Sequence, residues 1–332
     1  MSEHITLAHG NGGRLMRELI EEIFARALAD SRIDTSADAA TIELHEGLAM
    51  ITSDSFTVKP LQFPGGDIGS LAVHGTVNDL AVSGATPHYL TLNAIIEEGF
   101  AIEQLRTLIA SLADAAKKCG VRVVAGDTKV VSRGEGSGLY LATTGVGFRP
   151  SSLTLGMQHI VAGDRIIVSG PAGDHGTAVM LAREQFGLRG DLQSDAASVL
   201  PLTLAVRELP GLRFMRDPTR GGLATVMHEI ARATGLGVRL QETAIPVRDS
   251  VRTVCEMLGY DPLYLACEGR VVAVIAPHTA DALLAKWRGI EGGEEAALIG
   301  TITSSNQVVM ETALGGERLL QELEDDPLPR IC

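Results

Sequence analysis

Three aspartates in the first half of the chain stand against apolar sequence: Asp54 in "TSDSF", Asp79 in "VNDLA" and Asp127 in "AGDTK". An ionised carboxylate in such company is costly unless it is paired or bound to a metal. Hard oxygen donors with no His or Cys beside them suit Mg2+, which commonly arrives with nucleotide phosphates. Each aspartate alone is equally the residue of a turn or a helix cap; together they raise a metal–phosphate site. Asp217, in "RDPTRGG", reads as an N-cap or as a further ligand. Two glycine-rich loops, "SGPAGDHGTAVM" around Gly173 and "MRDPTRGGLATVM" around Gly221, each follow a short strand and open a helix. Backbone N–H groups and the helix dipole can meet an anion there. Neither loop carries the P-loop or the dinucleotide fingerprint. The chain closes on "DDPLPRIC", so its last residue, Cys332, is a thiol behind Pro327 and Pro329, which discourage helix and strand and leave an extended, mobile arm.

The elements that must hold these groups can be read from periodicity. Leu15, Leu19, Ile23 and Phe24 give Arg14–Ala29 a helical face. "GLAMITSDSF" reads as a buried strand leading into Asp54, and "VRVVAGDTKVV" and "GLYLATTGVGF" as further strands, with Asp54 and Asp127 at strand ends beside turns. "DIGSLAVHGTVNDLAVSGATP" reads as a helix carrying Asp79 and stopped by Gly84, with Pro87 beyond; "AIEQLRTLIASLADAAKKCG" is an amphipathic helix stopped by Gly120. After "RPSSLTLG" a second unit begins with "DRIIVSG". It continues with helices near Thr177–Phe186, Ser198–Leu209, Gly221–Thr234 and Asp249–Leu258, then the strands "RVVAVIA", "AALIGTIT" and "QVVME". The expectation is two α+β domains of α/β build, 1–150 and 151–320, followed by a mobile tail, 321–332.

Composition sets the outer limits. With 332 residues, 45% hydrophobic and 21% charged, the chain can build two ordinary cores. The 37 glycines are dispersed and point to tight turns and close backbone–ligand approaches. A formal net charge of −13 argues against nucleic acid and anionic membranes, and 4% aromatic content argues against base-stacking platforms. Phosphate ligands stay possible, because a bound divalent cation inverts the local sign. No secretory signal or membrane-spanning run is evident, and Cys119, Cys255, Cys267 and Cys332 form no CxxC pair or zinc spacing, which fits a reduced, cytoplasmic setting. Cys119, Cys255 and Cys267 read as buried small hydrophobes.

Taken in order, "VNDLAVSGATP", "AGDTKVV", "GPAGDHG" and "RDPTRGGLA" resemble the ATP-binding superfamily of aminoimidazole ribonucleotide synthetase (PurM-like), and the terminal "PRIC" is similar to its hydrogenase maturation branch, the HypE-type carbamoyl dehydratases. The resemblance runs from "AHGNGG" to the last residue. It implies an N-terminal domain whose strands pair across a homodimer into a β-barrel, with a C-terminal α/β domain packed on it and ATP near the subunit interface. It also implies that Cys332 accepts a carbamoyl group from the carbamoyltransferase HypF, and that ATP drives dehydration of the thiocarbamate to a thiocyanate. The cyano group is then passed to iron on the HypC–HypD complex for [NiFe]-hydrogenase. Asp54, Asp79 and Asp127 match the family's magnesium-binding carboxylates, with Asp217 a fourth, and Gly173 and Gly221 fall in the nucleotide loops. Lys129 in "GDTKVV" and Glu268 in "ACEGRV" match the positions that handle the carbamoyl N–H protons and oxygen. On the residues alone, Lys129 is also a solvent-facing strand lysine and Glu268 a turn carboxylate.

Two other readings remain at this level. Selenophosphate synthetases of the same superfamily usually carry a Cys or selenocysteine and a Lys in the N-terminal glycine loop, and "LAHGNGG" has neither, while thiamine-monophosphate kinases need no terminal cysteine. A non-catalytic carrier would only ferry a group on Cys332. The intact Asp54, Asp79, Asp127, Lys129 and Glu268 speak against it.

Overall fold

"GLAMITSDSF" becomes strand β1, Leu48–Phe56, in a computed structural model that describes residues 3–11, 13–29, 39–183, 191–324 and 331. Cys332 and most of the expected mobile arm lie outside the described residues. β1 pairs antiparallel with β6 (Leu139–Arg149), β6 with β4 (Thr86–Glu97), and β4 runs parallel to β5 (Arg122–Val131), giving the order β1-β6-β4-β5. A short hairpin of β2 (Gln62–Phe63) and β3 (Gly66–Asp67) lies between β1 and helix α2, Ile68–Val82. The longest of the described strands, β4, carries a weak sequence signal, because Pro87 and a polar start follow a helix directly. Asp54 and Asp127 lie within β1 and β5 rather than at their ends, because Ser55–Phe56 and Thr128–Val131 continue the ladders. The helical face expected from Arg14 begins as α1, Arg14–Leu19, and widens into a π-helical turn over Ile20–Ala25.

One face of this sheet is covered by α2 and α3 (Ile102–Cys119). Asp67 caps α2, accepting from the Gly69 and Ser70 amides at 2.7 and 3.0 Å. Gly69 is required where the helices cross, since a Cβ there would stand 2.1 Å from the Leu108 carbonyl oxygen. α2 is buried almost all round, as a central helix must be. Its last turn (Ala81 and Val82) enters the core of the second unit. The sheet's other face is covered at one end, where Tyr89, Val124 and Phe148 pack with Ile42, and is open beyond it in the single chain: Ile51 is 73% and Ile95 40% exposed, with Ser53, Ser55 and Asn93 beside them.

The second unit is a seven-stranded sheet in which only β9 and β12 run parallel. β7 (Arg165–Val168), β8 (Leu212–Arg216) and β9 (Gly237–Gln241) join β10 (Val272–Ile275), β11 (Ala297–Thr303), β12 (Val308–Glu311) and β13 (Glu317–Leu319), in the order β13-β12-β9-β11-β7-β10-β8. Alternate residues of β7 and β10 send Ile166, Val168, Val272 and Val274 toward α6 (Gly222–Thr234). Ile167, Ala273 and Ile275 point the other way, toward α5 (Leu200–Val206) and α8 (Ala280–Arg288). α4 (Asp174–Ala182) and α7 (Asp249–Leu258) instead complete the core of the first unit through Val179, Met180, Val251 and Cys255. Among the described residues no helix is long and apolar enough to cross a membrane. Cys119, Cys255 and Cys267 are buried free thiols, as expected.

Candidate functional site

Even-numbered residues of β1 face α2, and this parity joins two of the aspartates. Thr52 donates to Asp79 Oδ2 at 2.7 Å from the neighbouring strand position, and Asp54 lies on the same side of the sheet. From the second unit, the loop after β8 brings Asp217, 5% exposed, and Arg220, whose guanidinium lies 3.8 Å from Asp54. Glu268, 2% exposed, arrives on the loop before β10. Burial raises the Asp54 carboxyl, with a smaller upward push from Asp79. Burial, followed by the charge of Asp79, carries Asp217 up to about 7. Burial also holds Glu268 well above the carboxylate range, helped by Asp217, Asp195, Asp54 and Asp79 in turn. These four acids, Asp54, Asp79, Asp217 and Glu268, therefore form one electrostatic cluster between the two units.

Asp127 and Lys129 are not in it. Asp127 pairs across the sheet with Asn93, Asn93 with Ala142, and Ala142 with Ser55. Partners in a ladder share a face, so Asp127 points to the open side with Ser55 and away from Asp54. It is also three strand spacings from β1, on the order of 14 Å along the sheet. Lys129, two residues on and on the same face, pairs with Asp127 at 3.0 Å, both half-exposed. Within one chain Lys129 and Glu268 thus face different spaces. Sequence parity alone could not show this, because the register between β5 and β1 runs through two intervening strands.

The glycine loops also differ from one another. Gly173 and Gly221 both start their helices in the left-handed region, at φ +82° and +69°, where glycine is needed. The loop at Gly221 opens beside Asp54 through Arg220. The loop at Gly173 is closed: Gly170–Met180 are buried, the Gly173 amide points to the Cys267 thiol at 3.2 Å, and Asp174 at the helix start is taken by Arg248 at 2.9 Å and Arg270 at 3.3 Å. An anion has no access to that helix N-terminus in the single chain.

What holds Glu268 was not visible in the sequence. Its amide donates to Asp195 Oδ1 at 3.1 Å, and its carbonyl accepts from Asn78 Nδ2 at 3.0 Å. Asn78, one residue before Asp79, also takes the Val199 amide at 2.8 Å and donates to Ala197 at 2.9 Å. Arg270 lies 3.2 Å from Asp195 and offsets part of the burial that still raises this carboxyl. The Glu268 backbone is therefore clamped at both ends while its Oε1 is buried with no protein partner. That orphaned oxygen and the uncompensated acids fit a cation-dependent anionic ligand. Among the described residues no three side chains close into a metal cage of their own. Mg2+ needs no such cage, since it is commonly held by one or two carboxylates together with substrate phosphates. Asp54 and Asp79, with Asp217, are the residues that would hold it here.

Comparison with known proteins now bears on this geometry. Residues 36–148 match the N-terminal domain, and residues 161–312 the C-terminal domain, of AIR synthase related proteins. The chain is 47% identical to the carbamoyl dehydratase HypE of Azotobacter vinelandii over 99% of its own length and 97% of that protein. The chain belongs to the HypE family. The crystal structure of HypE in complex with ATP is similar at 44% identity and a TM-score of 0.93, covering 98% of this chain and 99% of that one. The HypE chain of a HypE–HypF complex is similar at 40% identity and a TM-score of 0.81, over 94% and 100%. The two-domain α/β fold is the PurM-like fold of the HypE family.

Proposed function

We propose that this HypE-family chain is an ATP-dependent carbamoyl dehydratase in hydrogenase maturation, which converts an S-carbamoyl group on Cys332 into a thiocyanate. The observation that carries this reading is the interdomain acid cluster in a chain this similar to an ATP-bound HypE. A carbamoyl oxygen leaves poorly as water, so ATP transfers its γ-phosphoryl group to that oxygen and the C–O bond breaks with phosphate as leaving group. The thiocarbamate loses both N–H protons, and ATP becomes ADP. Mg2+, when bound with ATP at Asp54, Asp79 and Asp217, offsets charge on the phosphates. With a cation bound beside the acids, Glu268 would take an N–H proton, and the Gly221 loop would border the phosphates. Asp127, Lys129 and Gly173 stand further from the cluster. Asp127 and Lys129 join the nucleotide site only if a second protomer covers the face on which they lie, and the Gly173 loop only if its own closure opens.

A homodimer supplies that cover. The open part of the four-stranded sheet carries Ile51 and Ile95 among small polar residues, and among the described residues no further strand pairs with β5, so two such faces can close into a barrel. Ile51→Arg should leave the monomer's fold intact, since the side chain is already exposed, and should give a monomer by sedimentation with lost dehydration. A variant that stays dimeric places the interface elsewhere. HypF is the donor partner and the HypC–HypD complex the acceptor, in the cytoplasm.

The function is tested by intact-mass measurement of the wild-type chain with HypF, carbamoyl phosphate, Mg2+ and ATP. One carbamoyl group should be gained on Cys332, followed by the loss of one water mass. A modification mapped to Cys119, Cys255 or Cys267 overturns the assignment. A stable carbamoyl group that ATP never dehydrates would favour the carrier reading.

A further inference from the structure

The penultimate residue, Ile331, is 3% exposed and packs in the core of the first unit. Its carbonyl oxygen lies 2.8 Å from Nε2 of His175, itself fully buried one residue past the α4 N-terminus. A carbonyl only accepts, so Nε2 carries the proton and donates. His175 Nδ1 is then an acceptor, and it lies 2.8 Å from Ser194 Oγ, which in turn accepts the Ala196 amide at 3.0 Å. The bonds run in one direction: Ala196 N–H to Ser194 O–H, Ser194 to His175 Nδ1, and His175 Nε2–H to Ile331. Such a chain fixes a single neutral tautomer, and each bond polarises the next. Burial, which lowers the His175 pKa to about 4, agrees with a neutral ring, and Phe63 packs edge-on against it at 5.3 Å.

The residue after Ser194 is Asp195, whose carboxylate receives the Glu268 amide. One dipeptide therefore holds the tail through His175 and the Glu268 backbone directly. Neither contact uses a tail side chain other than the Ile331 anchor. We propose that His175 is a positioning residue that grips the penultimate backbone carbonyl, with Ser194–Asp195 setting the docked tail in register with Glu268. The inference rests on the reading of Cys332 as the carbamoyl acceptor, since the cysteine follows Ile331 in the chain. Holding a reactant in place is worth a great deal here: misplacement by about 1 Å costs roughly 100-fold.

The test uses the full-length chain with HypF, carbamoyl phosphate and Mg2+–ATP. His175→Phe keeps an aromatic ring but no donor. It is expected to be carbamoylated by HypF and to bind ATP as the wild type does, and to dehydrate the group at least ~10-fold more slowly. It should also release Ile331 to carboxypeptidase Y at least ~10-fold faster, the signature of an ungripped tail. His175→Gln, whose amide can donate from near the Nε2 position, should recover most of both losses, which a merely structural role would not produce. Ser194→Ala, which adds no volume, should show both effects more weakly and serves if His175→Phe does not fold. Wild-type dehydration in folded His175→Phe and Ser194→Ala, or slowed dehydration with unchanged carboxypeptidase release, overturns the proposal. If no variant, nor the wild type, is ever carbamoylated, the acceptor reading fails, while the carboxypeptidase comparison still decides the grip.

Discussion

Glu268→Gln is expected to bind ATP and to accept the carbamoyl group from HypF like the wild type, yet to form thiocyanate about 10²–10⁴ times more slowly. The substitution preserves volume, and the two bonds that clamp this residue, from its amide to Asp195 and from Asn78 to its carbonyl, belong to the backbone. The change therefore touches the side chain alone. Burial and neighbouring carboxylates already hold Glu268 toward its neutral form, so an uncharged amide should not disturb the fold. What is lost is the ability to take a proton once the site is loaded. Timed intact-mass spectra resolve the step: carbamoylated chain should accumulate. A Glu268→Gln protein that dehydrates at the wild-type rate would make this residue a clamp point only, and the base would have to be sought elsewhere.

Asp217→Asn should do opposite things to stability and to activity. The Asp217 pKa stands at about 7 in the folded chain, against 3.8 in the unfolded one. Below the unfolded value both states are protonated. As pH rises, the unfolded state ionises first, so folding stability falls between about pH 4 and pH 7 and then levels off. Asparagine removes that loss. The ligand-free variant should be more stable than the wild type by an amount on the order of a few kcal/mol at pH 8, with the gain shrinking steadily as pH falls to 5. The same variant should bind Mg2+–ATP more weakly, because a ligand charge is gone. Chemical denaturation at several pH values, with calorimetry at fixed Mg2+, measures both. A pH-independent stability difference would mean that Asp217 ionises freely in the native state and is only a loop residue. Acids crowded into one buried cluster destabilise the empty protein, a cost often met at functional sites.

Much of this site could be read from residue types. Asp54 and Asp79 lie in apolar contexts where an unpaired carboxylate is costly, Asp217 reads as a cap or a further ligand, and both glycine loops open helices as their spacing implies. Asp79 falls within α2 as expected. The sequence could not say that Asp127 and Lys129 turn away, because a strand's alternation gives two faces without saying which partner covers either. It could not show that the loop at Gly173 is sealed, because Arg248 and Arg270, which occupy Asp174, come from 74 and 96 residues downstream. Asn78, Asp195 and His175 were missed for the same reason: each acts through backbone groups of distant segments. "VNDLA" draws attention to its aspartate and "GDHG" to its glycines, while the neighbouring Asn78 and His175 make the long-range bonds.

The order in which the chain is made gives the core of the first unit a further meaning. Its buried residues include Val179, Leu192, Val251, Leu265 and Ile331, which leave the ribosome long after β1, α2 and α3. At about 5–20 residues per second, roughly 10–35 s separate the emergence of the first sheet from that of the last residue. Through that interval α2, buried almost all round in the finished protein, lacks part of its final surroundings. The nascent first unit therefore keeps apolar surface exposed until the last segments of the chain arrive to close its interior.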